Sequence, residues 1–469
     1  GTNVKDVLYT PGTATDIAGN PLAAVGSGGV SEVDAAGPVP MSAMTTSVTA
    51  IDVTFSEDVH GASDDVADFA VAGNSVTATA ELGGVVTITL GTPIGTGDTP
   101  LVTVRGDGSS IGLKDSINVN WSPAEYTLTP ADSVAPVLSA VTIKSDNDPN
   151  TAAPEWAKVD DTATLLFTAS ETIATPTVTI QGIAATSITN PSGNNWVATR
   201  TMTGTDTEGA VLFAVDFADI ATNAGTQVTA VTSGPSVFFD RTNPSVDAGD
   251  DREVNDEVSQ DATASDAGTG SGVNTYAWTQ ISGPGLGTVT FSNPSGTGTG
   301  VDTDIFANTD GTYVLRLTVT DNAGNSAFDE ITFIWDTTRP EGLTSVPSND
   351  TTGVALTAGT ATVLFDEDIV LLDASRVLFV NDSNESSYKG TVAVQGGNGA
   401  SAILNIGYTG LSFGTKYRIQ VKPGAISDVA TNSLLSNFTA RFTTIIDTVV
   451  PVVNSLSAGS ITTTGASLS

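Results

Sequence analysis

One pattern constrains this chain more than any other. An aspartate followed four residues later by a proline recurs between strand-like segments: Asp34-Ala-Ala-Gly-Pro38, Asp132-Ser-Val-Ala-Pro136, Asp240-Arg-Thr-Asn-Pro244, Asp336-Thr-Thr-Arg-Pro340 and Asp447-Thr-Val-Val-Pro451. The prolines are 98, 108, 96 and 111 residues apart, the size of one β-sandwich domain. Proline fixes its own φ and pushes the preceding residue into extended geometry, so each pattern reads as a short, stiff linker.

Two further patterns keep register with the linkers. Asp-x-Ala-x-Asn precedes four of them, as Asp16-Ile-Ala-Gly-Asn20, Asp219-Ile-Ala-Thr-Asn223, Asp321-Asn-Ala-Gly-Asn325 and Asp428-Val-Ala-Thr-Asn432. An aromatic strand ending in glutamate opens three domains, as Val53-Thr-Phe-Ser-Glu57, Leu166-Phe-Thr-Ala-Ser-Glu171 and Val363-Leu-Phe-Asp-Glu367. The expected division is four whole domains at 38–132, 136–240, 244–336 and 340–447. Residues 1–33 are expected to end an earlier domain and 452–469 to begin a later one, as in a window from a longer array.

Between linkers the strand signals are short and alternating, rich in Thr and Val. Ser47–Phe55, Val85–Leu90 and Tyr313–Thr320 each place one face inward. Gly, Asn, Asp and Pro clusters punctuate them. One helical turn is expected near Asp64–Phe69 or Asp373–Arg376, and no helix long enough for a crossover. The fold class is therefore all-β, a tandem array of Ig-like antiparallel β-sandwich domains.

The chemistry is narrow. The 469 residues carry 52 acidic against 16 basic side chains, a net charge of −36, which repels phosphate backbones and excludes nucleic acid as a natural partner. No apolar stretch is long enough to insert in a membrane. Cysteine is absent, so there are no disulfides, thiolate nucleophiles or zinc–cysteine sites. A single histidine, His60, in a polar loop, leaves no Ser-His-Asp or His-zinc arrangement. The conspicuous glutamates recur once per domain, where a hydrolytic carboxylate pair would occur once; no enzyme activity is expected. Arg105-Gly-Asp107 spells an integrin-recognition tripeptide, which a strand-end turn explains equally well. The Asn-x-Ser/Thr sequons are no more frequent than composition predicts, and the scattered tryptophans suit core packing.

Of the acids, 39 are Asp and 13 Glu; the shorter carboxylate suits turns and loops that hold hard cations. Strands alternate direction between the two poles of a sandwich. The linker Asp, the strand-end Glu and the Asp-x-Ala-x-Asn loop should therefore meet at the entry pole of each domain. The predicted calcium ligands are Asp132, Glu171 and Asp219 at one junction and Asp336, Glu367 and Asp428 at another. Incomplete sets are Asp34 with Glu57, where the third motif is missing, and Asp240 with Asp321, where the Glu strand is missing. Calcium bound there would stiffen the junctions.

The Phe-Ser-Glu strand, the Asp-x-Ala-x-Asn loop and the Asp-x-x-x-Pro linker resemble bacterial Ig-like domains of surface-layer proteins and large adhesins. Residues 244–336 are closer to a polycystic-kidney-disease (PKD) type sandwich, by Asp247-Ala-Gly-Asp-Asp251, Tyr276-Ala-Trp278, Ser282-Gly-Pro284 and Tyr313–Asp321. The resemblance implies an extracellular, cell-surface protein. Its partners would be other copies of the chain or neighbouring cell-envelope proteins. The role implied is a structural module of a surface layer, filament or stalk. An adhesin repeat region, or a spacer in a secreted polysaccharide-degrading enzyme, are the alternatives.

Overall fold

The computed structural model describes residues 38–60, 66–105, 125–147, 154–268, 270–396 and 401–452. It divides into two compact units. The first comprises residues 1–242 with 267–271 and 322–325; the second comprises 243–266, 272–321 and 326–469.

Among the described residues the regular structure is strand, apart from two single 3-10 turns at Val66–Asp68 and Ala374–Arg376. Both fall in the aspartate-bearing segments expected to form one helical turn. Asp373 caps the second: its carboxylate accepts from Ser375 N at 2.8 Å while its own backbone stays extended, the geometry of an N-cap. No helix among the described residues is long and apolar enough to cross a membrane.

The first unit holds two hydrophobic cores. One gathers Ile51, Val53, Phe55, Val86, Ile88, Val102 and Val104 from a four-stranded sheet and a smaller sheet of Phe69–Val71, Val102–Arg105 and Glu125–Leu128. The four-stranded sheet is ordered Pro40–Ser47, Ala50–Phe55, Val85–Leu90, Val76–Leu82. The other core is built on Thr162–Ala169, whose burial alternates strictly, with Ala163, Leu165, Phe167 and Ala169 inward. That strand pairs antiparallel with both Leu138–Ser145 and Asn195–Thr201. The second unit likewise holds two cores. Tyr313, Leu315, Leu317 and Val319 of Gly311–Asp321 pack with Trp278, Ile331 and Phe333. Val363, Phe365, Phe379, Leu404, Tyr417, Ile419 and Phe442 form the last.

Two features depart from the sequence reading. Ser47–Phe55 is not one strand. Pro40–Ser47 turns at Val48 and Thr49 into Ala50–Phe55. Neither turn residue is a turn former, but the Ser47 hydroxyl accepts from Thr49 N at 3.2 Å, a local side-chain bond that replaces the missing Gly or Asn. The second feature is a set of short parallel pairings: Glu155–Ala157 with Val237–Phe239, Arg252–Val254 with Ser326–Trp335, and Thr351–Val354 with Phe438–Thr444. Each ties an early segment of a sandwich to its last strand. Periodicity sets which face a strand buries but not which strand lies beside it.

Within the first unit, Arg200 and Asp206 form a buried ion pair. Arg200 Nη2 lies 2.7 and 2.9 Å from the two Asp206 oxygens, and Thr203 N donates to Oδ2 at 2.7 Å. Burial pushes the Asp206 carboxyl up, but the Arg200 and Thr203 hydrogen bonds outweigh it and hold the group below its ordinary range. Asp206→Ala, which strands the Arg200 charge, is expected to cost about 3–5 kcal/mol in denaturant unfolding, whereas Arg200→Met with Asp206→Leu stays close to wild type. Equal losses in the two variants would contradict this.

Candidate metal-binding junctions

The Asp-x-Ala-x-Asn loops fold alike in both units. In the first, Asp219 N donates to Asn223 O at 3.1 Å, Thr222 N to Asp219 O at 3.3 Å and Asn223 N to Asp219 Oδ1 at 2.8 Å. In the second, Asp428 N donates to Asn432 O at 3.1 Å, Thr431 N to Asp428 O at 3.4 Å and Asn432 N to Asp428 Oδ1 at 2.6 Å. The tight reversal requires a left-handed residue before the Asn. Thr222 and Thr431 stand there at φ 76° and 77°, and Gly324 holds the same place in its own loop at φ 83°. A β-branched residue is costly in this region and glycine is not.

The linkers also share a local device. Asp132, Asp240, Asp336 and Asp447 each accept, through Oδ1, from the backbone N–H two residues on, at 3.0, 3.0, 2.9 and 2.9 Å. This Asx-type turn fixes the side chain at the start of each linker. Strand pairing brings in the remaining carboxylates. Ile173 bridges Asp219, and Val370–Leu371 pairs with Ile426–Ser427, which sets Glu171 and Glu367 beside the Asp of their loops.

The structure thus brings together Asp132, Glu171 and Asp219 in the first unit, and Asp336, Glu367 and Asp428 in the second. In each set, one carboxylate oxygen per residue lies within 4.8 Å of the others. Glu171 Oε1 and Glu367 Oε1 are buried and accept no hydrogen bond. Burial is the main cause raising the Glu171 pKa; the Thr96 hydrogen bond opposes it, and Asp132 and Asp219 add to it. Glu367 is pushed up to about 8 by burial and then by Asp428, Asp336, Asp366 and Glu253. Asp428 is also raised, chiefly by burial, against the Asn432 hydrogen bonds. Hard oxygen donors gathered around a buried acceptor without a partner suit a calcium ion, which takes six to eight oxygens.

The remaining predicted ligands are Glu57, Asp34, Asp240 and Asp321. Glu57 follows the strand Ala50–Phe55 and joins neither set, and Asp34 lies outside the described residues. Asp240 belongs to the first unit, where its Oδ2 accepts from Ser271 N at 2.7 Å. Asp321 belongs to the second, buried at the end of Gly311–Asp321. His60 is exposed, and Gly106 and Asp107 of the Arg-Gly-Asp tripeptide lie outside the described residues.

Two participants were not legible in the sequence. In the first unit the loop Gly95–Asp98 closes over Glu171. Thr96 Oγ1 is 2.6 Å from Ser170 Oγ, and a β-carbon on Gly97 would come within 2.6 Å of Glu171 Oε2. In the second unit Glu253 approaches instead. Its pKa is raised by burial first and then by Asp336, Asp428 and Asp368. It is one acid in the run Arg252-Glu253-Val254-Asn255-Asp256-Glu257, and only the parallel pairing of Arg252–Val254 with Ser326–Trp335 carries it there.

Taken together, the fold and these junctions define a class: β-sandwich modules in tandem, joined by aspartate–proline linkers. Residues 336–444 match the bacterial Ig-like domain family, and residues 248–334 match a PKD domain family. The chain therefore carries a bacterial Ig-like domain and a PKD-type sandwich, and neither is a catalytic family. The Ig-like match begins at Asp336, so the linker aspartate counts with the domain that follows it. No curated protein matches the chain. Solved structures that align with it include the S-layer protein rSbsC(31-844), at 14% identity over 89% of this chain and 55% of that one, TM-score 0.20. Invasin, a bacterial integrin-binding protein, aligns at 13% identity over 87% and 78%, TM-score 0.29. The I9-I11 tandem of titin aligns at 11% over 65% and 99%, TM-score 0.23. The chain spans about half of the S-layer structure.

Two outcomes follow from this geometry. Thr431→Gly removes a β-carbon from a left-handed position and is expected to stabilise by about 1 kcal/mol, less the added freedom of the unfolded chain; destabilisation on denaturant unfolding would contradict the strained loop. Glu367 binds its proton more tightly folded, at about 8, than at the ordinary 4.5. In chelator, the stability this proton contributes is full below pH ~4.5 and lost as pH rises through ~8. Glu367→Gln, which mimics the protonated form, should therefore melt above wild type at pH 9 and level with it near pH 5. Equal melting temperatures at pH 9 would refute the buried, crowded carboxylate.

Proposed function

We propose that this chain is a structural segment of an extracellular prokaryotic surface assembly, a layer, filament or stalk, whose module junctions are stiffened by calcium. In this reading its modules are 38–132, 136–240, 244–336 and 340–447. It lies outside the cell against other copies of itself or neighbouring envelope proteins. The bacterial Ig-like match and the absence of a catalytic family support the scaffolding role. One observation carries the calcium part: a linker Asp, a strand-end Glu with a buried unpartnered oxygen, and a loop Asp converge in the same way in both units.

The physical argument is charge. Two carboxylates ~4 Å apart repel by about 4 kcal/mol at an effective dielectric of ~20. A divalent cation converts that repulsion into attraction and supplies the partner that Glu171 Oε1 and Glu367 Oε1 lack. Because the ligands come from a linker and from the module that follows it, binding restrains the linker against that module.

Calorimetric titration of the full chain should give calcium dissociation constants of about 10⁻⁴–10⁻³ M, the range of extracellular calcium modules. At a hundredfold excess over Kd, binding should add about 2.7 kcal/mol to stability per site, and Asp428→Asn should remove one site. No heat of binding, with an unchanged melting temperature in chelator, would overturn the calcium part. The surface assignment is tested separately by immunogold labelling of intact cells, and label confined to the cytoplasm would overturn it.

A further inference from the structure

The carboxylates are not the only side chains that grip the linkers. Asn432 Nδ2 donates to the backbone carbonyl of Asp336 at 2.7 Å and to Asp428 Oδ2 at 2.7 Å, so both amide hydrogens are used. Its Oδ1 accepts from Asn255 Nδ2 at 2.8 Å. In the first unit Asn223 Nδ2 repeats the pattern, donating to Asp132 O at 3.1 Å and Asp219 Oδ2 at 2.7 Å. Also within the first unit, Asn325 Nδ2 donates to Asp240 O at 3.2 Å. Among the described residues the last residue of these three loops thus reaches back 85 to 96 residues to the same main-chain atom, the carbonyl of the linker aspartate.

We propose that the Asn of each Asp-x-Ala-x-Asn loop is a latch that locks the linker to the module following it, and that it works without metal. An amide nitrogen is no ligand for calcium, and it is the nitrogen of Asn432 and of Asn223 that meets the linker carbonyl. The loop Asp holds the Asn at two points, through the backbone N–H and through Nδ2, so the amide arrives at the linker in a fixed orientation. The linker at Asp336 is also held from the other side. Thr337 Oγ1 and Thr338 Oγ1 donate to Asp310, and Arg339 Nη1 donates to Ser433 O at 3.0 Å. The latch goes beyond the calcium reading and does not depend on it. In calcium-free conditions the carboxylates repel one another, while the Asn keeps the linker registered so that the ligands can reassemble.

Hydrogen exchange on the full chain, in calcium and in chelator, separates the two ideas. The reporter is the Thr338 amide, bonded to Asp336 Oδ1 in the turn that the latch holds. In Asn432→Ala this amide should exchange about tenfold faster in both conditions. The core strand Lys416–Val421 should keep its protection, and the linker at Asp132 should be unaffected. Unchanged exchange at Thr338, or an effect that disappears in chelator, would overturn the latch, while leaving calcium binding to stand or fall on its own titration. Should Asn432→Ala also expose Lys416–Val421, Asn255→Ala decides, since it removes a single bond from the outer side of the latch. Faster Thr338 exchange with an intact core then supports the proposal, and unchanged exchange overturns it.

Discussion

Like charge held close together is the constraint on which this structure turns. Asp336, Glu367 and Asp428 offer oxygens within 4.8 Å of one another, and Glu253 adds a fourth acid nearby. The chain has no cysteine with which to fasten its modules covalently. Its cores lie within the sandwiches, built from alternating Val, Leu, Phe and Tyr. What happens at the linkers is therefore decided by polar groups: carboxylates that oppose one another, and amides that hold the backbone. In the function proposed above, a cation would neutralise the first, while the amides keep the linker in register.

The junctions at Glu171 and Glu367 share a plan but differ in the side that faces them. At Glu171 the approaching loop brings the Thr96 hydroxyl and the bare backbone of Gly97. At Glu367 the approaching strand brings Glu253 and Asn255. More carboxylate at the second site crowds like charge there, and Glu253 is among the acids that push Glu367 up. A joint can thus be tuned by what the preceding module presents, with the linker and loop motifs unchanged.

Much of this was legible in the sequence because the motifs carry geometry. The Asp-x-x-x-Pro pattern carries an Asx-type turn at Asp132 and Asp336, and strand pairing sets Glu171 and Glu367 beside Asp219 and Asp428. The alternation of Val85–Leu90 and Tyr313–Thr320 gave their inward faces directly. What escaped depends on long-range pairing or on local substitutes for turn residues. Glu253 reaches its site only through a parallel pairing that periodicity does not encode. The turn at Val48 and Thr49 rests on a serine hydroxyl in place of glycine. The role of Asn432 is written in a contact 96 residues away, which a five-residue motif does not announce.

The most direct test of the central claim is a crystal structure of the full chain grown in calcium, with anomalous data to locate the ion. The account predicts an anomalous peak between Asp336, Glu367 and Asp428 and another between Asp132, Glu171 and Asp219. Each should have carboxylate oxygens, Glu367 Oε1 and Glu171 Oε1 among them, at about 2.3–2.6 Å. Neither position carrying a peak, with the carboxylates turned apart or bridged only by water, would contradict it.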